Sequence, residues 1–87
     1  MQGNLLKKKL ILSDLQLEYE LLHDKCYGIR LSVYRNNVCE DCVEIHNICS
    51  TTLEIQRIFM VLSKYAVTPV TVYDVLDVYF DDPDRFS

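Results

Sequence analysis

The chain has 87 residues, of which 49% are hydrophobic and 25% charged, and its formal net charge is −4. This length suits one domain, and the two glycines, two prolines, six tyrosines and three phenylalanines exclude collagen-like, low-complexity and disordered proteins. The excess acid lies in residues 71–87, which predicts a surface that repels phosphate and anionic lipid. We therefore expect neither nucleic acid nor a membrane as a partner.

The first 13 residues combine a basic run with a short apolar one. Lys7–Lys9 precede three aliphatic residues, as at the start of a signal peptide: Leu10, Ile11 and Leu12. The apolar run stops at Ser13, short of the roughly 7–15 residues that the apolar region of a signal peptide needs and of the roughly 20 that span a membrane. We therefore expect a cytoplasmic protein whose four cysteines are thiols.

Residues 1–13 have no clear place in a monomeric core. We predict that they are loosely attached or form an interface segment, with the aliphatic triplet available as an added strand.

Two stretches alternate between apolar and polar side chains, which is the period of a half-buried strand. The apolar members of the first stretch are Leu15, Leu17, Tyr19 and Leu21. Those of the second are Tyr27, Ile29, Leu31 and Val33. Residues 23–25 form a polar turn between them. Asn36-Asn37 tolerates positive φ and predicts a hairpin turn after the second strand.

A third strand is indicated by Val43 and Ile45, which alternate with polar neighbours. Residues 38–41 fit the alternation less well and are predicted to be a loop or a bulge. The short connections favour an antiparallel meander over parallel pairing.

The second half of the chain has helical periodicity. Thr51 and Glu54 have the spacing of a capping box and predict a helix start. The predicted apolar stripe of this helix is Ile55, Ile58, Phe59, Leu62, Tyr65 and Ala66. We expect the helix to end near Val67, because Pro69 disfavours helical geometry at the residue before it.

A second helix start follows at Thr71, with Asp74 as its capping partner and Val70 stapled onto Val75. The predicted buried stripe of this helix is Val72, Val75, Leu76, Tyr79 and Phe80. Pro83 ends it, and residues 82–87 form an acidic tail.

These elements predict a single α+β domain over residues 1–87, of order β-β-β-α-α. A three-stranded antiparallel meander has one face covered by a C-terminal helical hairpin, the only cover available. A core this small leaves little net stability, and the open sheet edges offer a route to a homodimer.

Several of these segments resemble a known family. A strand with Tyr27-Gly28-Ile29 and a threonine-capped helix are followed by Val67-Thr68-Pro69-Val70, which leads into Asp74-Val75-Leu76-Asp77. This pattern, over roughly residues 15–81, resembles a family of small proteins of unknown function from clostridia-like bacteria. The chain departs from that family in its cysteine-rich third strand. The resemblance implies a cytoplasmic α+β protein of Gram-positive bacteria with no assigned activity and no assigned functional residues.

Four potential zinc ligands lie within eleven residues: Cys39, Cys42, His46 and Cys49. They predict a zinc-binding regulatory module only if the segment is a loop. In a strand at about 3.3 Å per residue, Cys42 and Cys49 would stand about 23 Å apart, too far for one ion. The favoured interpretation is a strand with small half-buried thiols, without a cofactor.

A catalytic site has less support in the sequence than a zinc site. Cys42 and His46 on one strand would stand about 13 Å apart and could not form a thiolate–imidazole pair. Cys39-x-x-Cys42 lacks the helix N-terminus that activates a redox thiol. A small enzyme whose site forms between subunits, lined by His23 or His46 with a carboxylate, stays open as an alternative.

The second helix carries Asp74, Asp77 and Asp81 on one face, at i, i+3 and i+7. Acidic residues at its C-terminus oppose the helix dipole, at about 0.3–1 kcal/mol each. This cost suggests a cationic partner, or the chain's own Lys7–Lys9. The favoured function is a non-enzymatic protein-interaction or regulatory accessory domain that forms a homodimer. Its predicted interaction residues are Asp74, Asp77, Asp81, Leu10, Ile11 and Leu12.

Overall fold

The computed structural model describes residues 7–86, so the first six residues of the predicted N-terminal segment and the last residue of the predicted tail lie outside the described part. The elements in chain order are β1 (Lys7–Leu12), β2 (Leu15–His23), β3 (Tyr27–Arg35), β4 (Val38–Cys49), α1 (Thr52–Lys64), α2 (Val72–Asp81) and a 3-10 turn (Pro83–Phe86). The α+β class, the antiparallel sheet and the two C-terminal helices are confirmed.

The sheet has four strands in the order β1-β2-β3-β4, so the prediction of three strands is wrong. The additional strand is β1, which pairs with β2 so that Leu10 opposes Leu17 and Leu12 opposes Leu15. Three consecutive lysines hide the apolar–polar alternation of this strand. An edge strand nevertheless needs only one side of its backbone paired, which β2 supplies.

The core lies between the sheet and the helices. α1 lies across β2, β3 and β4, and α2 packs against α1. The sheet contributes the buried side chains Leu17, Tyr19, Leu21, Ile29, Leu31 and Val33. The helices contribute Ile55, Ile58, Phe59, Leu62, Val72, Leu76 and Tyr79. Their burial confirms the main members of the predicted apolar stripes. Each such side chain stabilises the fold by about 1.5–3 kcal/mol.

The turn between β3 and β4 is the predicted one. Asn36 and Asn37 have φ values of 53° and 65°, as a type I′ turn requires. Asparagine tolerates this left-handed conformation better than most residues, so the hairpin is encoded locally.

β4 is irregular at two places. Val33 opposes Asp41 while Tyr34 opposes Cys39, so Glu40 is an extra residue and forms the bulge predicted for this stretch. Nearer the end of the strand, residues 46–48 stand opposite Gly28 alone, and Asn47 has a φ of 58°. A Cβ atom at position 28 would collide with the carbonyl oxygen of Ile45, so only glycine fits here.

The start of α1 is as predicted, and its end is not. The Thr51 hydroxyl accepts a hydrogen bond from the Glu54 amide at 3.3 Å. The helix ends at Lys64 because Ala66 turns into the left-handed region, with φ 51°. The Val67 amide donates to the carbonyl of Leu62 at 3.0 Å and the Ala66 amide to that of Ser63 at 3.3 Å. These two bonds form a Schellman motif, which closes the helix before Pro69 can act.

The side-chain cap predicted for α2 is absent. Thr71 precedes the helix, but its hydroxyl accepts a hydrogen bond from the Thr68 amide at 3.4 Å instead of capping. The Thr71 amide bonds the Thr68 carbonyl at 3.1 Å and closes a turn through Pro69. Val70 at the tip of this turn is 80% exposed, so the predicted staple onto Val75 is also wrong.

Two aromatic residues predicted in the buried stripes, Tyr65 and Phe80, are half exposed. Tyr65 lies beyond the last residue of α1. Phe80 lies one residue, or about 100°, from Tyr79, which belongs to the narrow stripe through which α2 packs. Val75 and Ala66 are half-buried beside the core.

Candidate functional site

The face of the sheet opposite the helices is a row of alternating charges. Lys7, Glu20, Arg30 and Glu44 occupy neighbouring positions across the four strands. The Arg30 guanidinium donates from Nη1 to Glu20 at 3.0 Å and from Nε to Glu44 at 2.7 Å. The hydrogen bond from Arg30 holds the pKa of Glu44 below its usual value. This face is neutralised within the chain and suits contact with water.

The lysines predicted as a cationic patch lie in the sheet as part of the same pattern. The ammonium groups of Lys7 and Lys9 stand 3.8 and 4.0 Å from carboxylate oxygens of Glu18 on β2. These distances place the two lysines beside a carboxylate of their own sheet. They do not leave a compact patch that is free of anions.

The four potential zinc ligands lie along β4 and are not brought together. Cys39, Cys42, His46 and Cys49 all belong to one extended strand, the geometry that separates such residues. Among residues 7–86, no group of three or more histidine, cysteine, aspartate or glutamate side chains is placed to hold a metal ion.

Each of these side chains has its own local contact. Cys42 accepts a weak hydrogen bond from the Ser32 hydroxyl at 3.4 Å, and Cys39 and Cys49 reach the carbonyls of nearby residues. His46 lies 3.1 Å from Glu44 on the exposed surface. Burial raises the pKa of the Cys49 thiol, which disfavours the nucleophilic thiolate. They are therefore separate positions along a strand, as favoured, but only Cys49 is half-buried: Cys39 and Cys42 are exposed, so the prediction of half-buried thiols is wrong for these two.

The other histidine considered for an inter-subunit site lies where β2 ends. The His23 ring stacks on the ring of Tyr27, with the centroids 4.2 Å apart. The Tyr27 hydroxyl in turn shares a hydrogen bond of 2.7 Å with the Thr52 hydroxyl. This chain of contacts ties the loop between β2 and β3 to the start of α1.

The aliphatic triplet of β1 is divided between the core and the solvent. Leu10 packs against the core, whereas Ile11 is 76% exposed and Leu12 is 42% exposed. Ile11 lies on the open face of the sheet, opposite Gln16 of β2. An exposed isoleucine on an edge strand is a position at which a partner can bury apolar area.

The outer edges of the sheet differ in regularity. β1 pairs with β2 residue by residue from Lys7 to Leu12. β4 has a bulge at Glu40 and a second irregularity at residues 46–48. Bulges and lysines both discourage strand addition at an edge: β4 has the bulges and β1 has the lysines, and β1 is the edge whose row of backbone groups is uninterrupted.

The exposed side of α2 is acidic and aromatic. Asp74, Asp77 and Asp81 are all exposed. Tyr73 and Phe80, seven residues apart, are 54% and 51% exposed on the same helix. We call this set of five residues the α2 surface. Its C-terminal end borders a shallow open depression lined by Asp77, Val78, Asp81, Asp82 and Arg85.

The aromatic part of the α2 surface was not anticipated from the sequence. The helical period predicts Phe80 in the buried stripe, but the stripe through which α2 packs is narrower than predicted. The signal that could have identified it is the spacing of Tyr73 and Phe80, which repeats after two turns, as the aspartates do.

No helix within residues 7–86 is long and apolar enough to cross a membrane. No curated protein and no solved structure matches the chain. A protein-family profile, described as DUF6514, a family of unknown function, matches residues 5–82. The match covers both helices and all four strands, including the β1 residues that the sequence resemblance left out. The chain therefore belongs to the DUF6514 family, a family of unknown function.

Proposed function

We propose that this chain is a non-enzymatic interaction domain that self-associates and binds a cationic segment of a partner protein through the α2 surface. The proposal keeps the cytoplasmic location and the Gram-positive bacterial origin implied by the sequence resemblance. The observation that carries it is the α2 surface itself, on which two exposed aromatic rings lie among three exposed carboxylates.

The charges at the C-terminal end of α2 support a binding role because they do not stabilise the helix, unlike Asp74 in its first turn. The last turn of α2 contains no basic residue, and Asp81 and Asp82 lie at its C-terminal end. Anions at this end oppose the helix dipole by about 0.3–1 kcal/mol each. A basic partner segment would relieve this repulsion, while Tyr73 and Phe80 offer faces for apolar or guanidinium contacts.

Self-association is supported by the other exposed apolar residues. A chain of 87 residues has a small core, and β1 keeps Ile11 and Leu12 exposed instead of burying them. Burial of these side chains by a second copy would add stability that the monomer lacks. Neither a zinc module nor an inter-subunit enzyme has a comparable observation behind it, so we propose neither.

The α2 surface is tested by titrating the isotope-labelled chain with a basic probe, a peptide of about twelve alternating lysines and leucines. We expect amide shifts confined to α2 and the 3-10 turn. The matched probe with glutamate in place of lysine should leave these amides unchanged. Shifts spread over the whole chain, or equal binding of both peptides, would contradict the proposal.

A variant pair sharpens this test. Replacing Asp74, Asp77 and Asp81 by Asn should weaken binding of the basic probe roughly 3- to 150-fold, because each exposed ion pair contributes about 0.2–1 kcal/mol. The charge-matched control replaces Asp24 and Asp41 by Asn and Glu40 by Gln, away from α2, and leaves Arg35 its ion pair with Asp14. This control should bind the basic probe as the unmodified chain does. An equal loss of affinity in both variants would show that the net charge alone explains the effect.

A further inference from the structure

The edge of the sheet that is free to accept a strand is also self-complementary. We propose that two copies of the chain join through β1, antiparallel about a two-fold axis at Leu10, into one eight-stranded sheet. This inference rests on the proposed self-association and names the surface and register that carry it.

The choice of edge follows from the strand regularity described above. Strand addition requires an uninterrupted row of backbone N–H and C=O groups. β1 offers such a row over Lys7–Leu12, since its ladder to β2 has no irregularity. β4 loses it at Glu40 and again at residues 46–48. Of the two outer strands, β1 is the one that a second copy can extend.

The register follows from charge and from the pleat. Directly opposed residues in an antiparallel pair lie on the same face of the sheet. With Leu10 opposite Leu10 of the second copy, Lys9 lies opposite Ile11 and Lys8 opposite Leu12. No lysine then faces a lysine. An axis at Lys9 would place two ammonium groups directly opposite each other, at a cost in stability, and an axis at Ile11 would pair only residues 10–12 of β1.

This register also joins the apolar parts of the two copies. Leu10 is the β1 residue that packs against the core, and the two-fold axis brings it onto its own counterpart. Both helical layers remain on one side of the continuous sheet. The aliphatic stems of Lys8 and Lys9 cover Leu12 and Ile11 while their charged ends stay in water. The exposed aliphatics of β1 thereby lose contact with solvent.

The experiment measures the dimer dissociation constant of the full chain by sedimentation equilibrium. Ile11→Glu places a carboxylate opposite Lys9 twice in each dimer, and Ile11→Lys places an ammonium there. Both variants lose the apolar burial of Ile11, so the comparison is between them. At about 0.2–1 kcal/mol for each of the two Glu–Lys pairs, we expect the Ile11→Glu dimer to be at least about 2- to 30-fold tighter than the Ile11→Lys dimer. Ile11 is largely exposed, so neither change should disturb the monomer fold.

The matched controls are Val70→Glu and Val70→Lys, because Val70 is equally exposed and lies in the turn between the helices. These should leave the dissociation constant unchanged. Leu12→Glu and Leu12→Lys test the register, since position 12 faces Lys8 only when the axis lies at Leu10, and we expect the glutamate variant to form the tighter dimer.

The outcomes separate this inference from the proposal on which it rests. A chain that stays monomeric at all concentrations would overturn self-association itself. If the dimer dissociation constant does not depend on the sign of the charge at position 11, self-association would still be supported but the β1 contact would be overturned. A dimer that weakens as salt is added would also overturn the β1 contact, and it would indicate that the α2 aspartates form the contact. The β1 dimer brings six lysines together, so salt should strengthen it.

Discussion

The phenolic hydroxyl of Tyr19, in the middle of β2, donates a hydrogen bond of 2.7 Å to the backbone carbonyl of Val67. Val67 follows the Schellman turn that ends α1, and both residues are buried. The bond therefore fixes the linker between the helices onto the centre of the sheet. The Tyr19 ring also meets the edge of Phe59, with the centroids 6.3 Å apart. One side chain thus links the sheet, the first helix and the linker between the helices.

Tyr19→Phe should destabilise the protein by about 1–3 kcal/mol. The substitution keeps the ring and leaves the buried carbonyl of Val67 without its donor. For a domain of this size the melting temperature should fall by about 4–8 °C per kcal/mol. Tyr73→Phe is the control, because Tyr73 is more than half exposed. Equal melting temperatures for the two variants would show that the buried bond contributes nothing.

The same residue gives a pH dependence with a defined sign. Burial raises the pKa of Tyr19 from 10.0 to about 12, because the folded state disfavours the phenolate. The unfolded chain therefore loses this proton first. The stability linked to Tyr19 is complete below pH 10 and is lost as the pH rises from about 10 to 12. We expect denaturant midpoints of the unmodified chain to fall more steeply over this window than those of Tyr19→Phe, and parallel slopes would contradict the assignment.

Ala66→Gly should stabilise the protein by about 1 kcal/mol. Ala66 holds the left-handed position of the Schellman motif, where φ is 51° and a Cβ atom is unfavourable. Lys64→Gly is the contrasting variant, since Lys64 is the last residue of α1 and glycine there should cost about 1 kcal/mol. Chemical denaturation should therefore give shifts of opposite sign. Destabilisation by both would show that the turn does not strain the alanine.

Gly28→Ala should be the most damaging of these substitutions. The added methyl group would overlap the carbonyl oxygen of Ile45 on β4, and backbone cannot move aside as a side chain can. We expect a loss of about 1–3 kcal/mol or more, seen as a lower unfolding midpoint or as insoluble protein. Ser32→Ala in the same strand removes only the weak contact with Cys42 and serves as the control. An unchanged midpoint for Gly28→Ala would mean that β4 can shift away from β3.

The central hairpin could be predicted from the sequence because its signals are local. Alternation in β2 and β3 and the Asn36-Asn37 turn act within a few residues, and the structure follows them. The Thr51 cap belongs to the same class. The β1 strand could not be recognised in this way, because its lysines interrupt the pattern and its pairing partner is required to define it.

The remaining differences arise where tertiary contacts decide the outcome. Thr71 has the composition of a cap, but its hydroxyl bonds the preceding turn instead. Phe80 has the polarity of a core residue, but α2 packs through a stripe too narrow to include it. Of the candidate interaction residues, the α2 aspartates, Ile11 and Leu12 are exposed, whereas Leu10 packs against the core. The cysteines lie along a strand, which residue spacing alone could not distinguish from a metal loop.

The proposed function and the β1 dimer both require that the unmodified chain associates with itself. Sedimentation equilibrium from micromolar to near-millimolar concentration measures this without a label or a ligand. We expect an apparent mass that rises reversibly from 10.2 kDa towards about twice that value, with a transition that moves to lower concentration as salt is added. A constant mass of 10.2 kDa over the whole range would contradict the account.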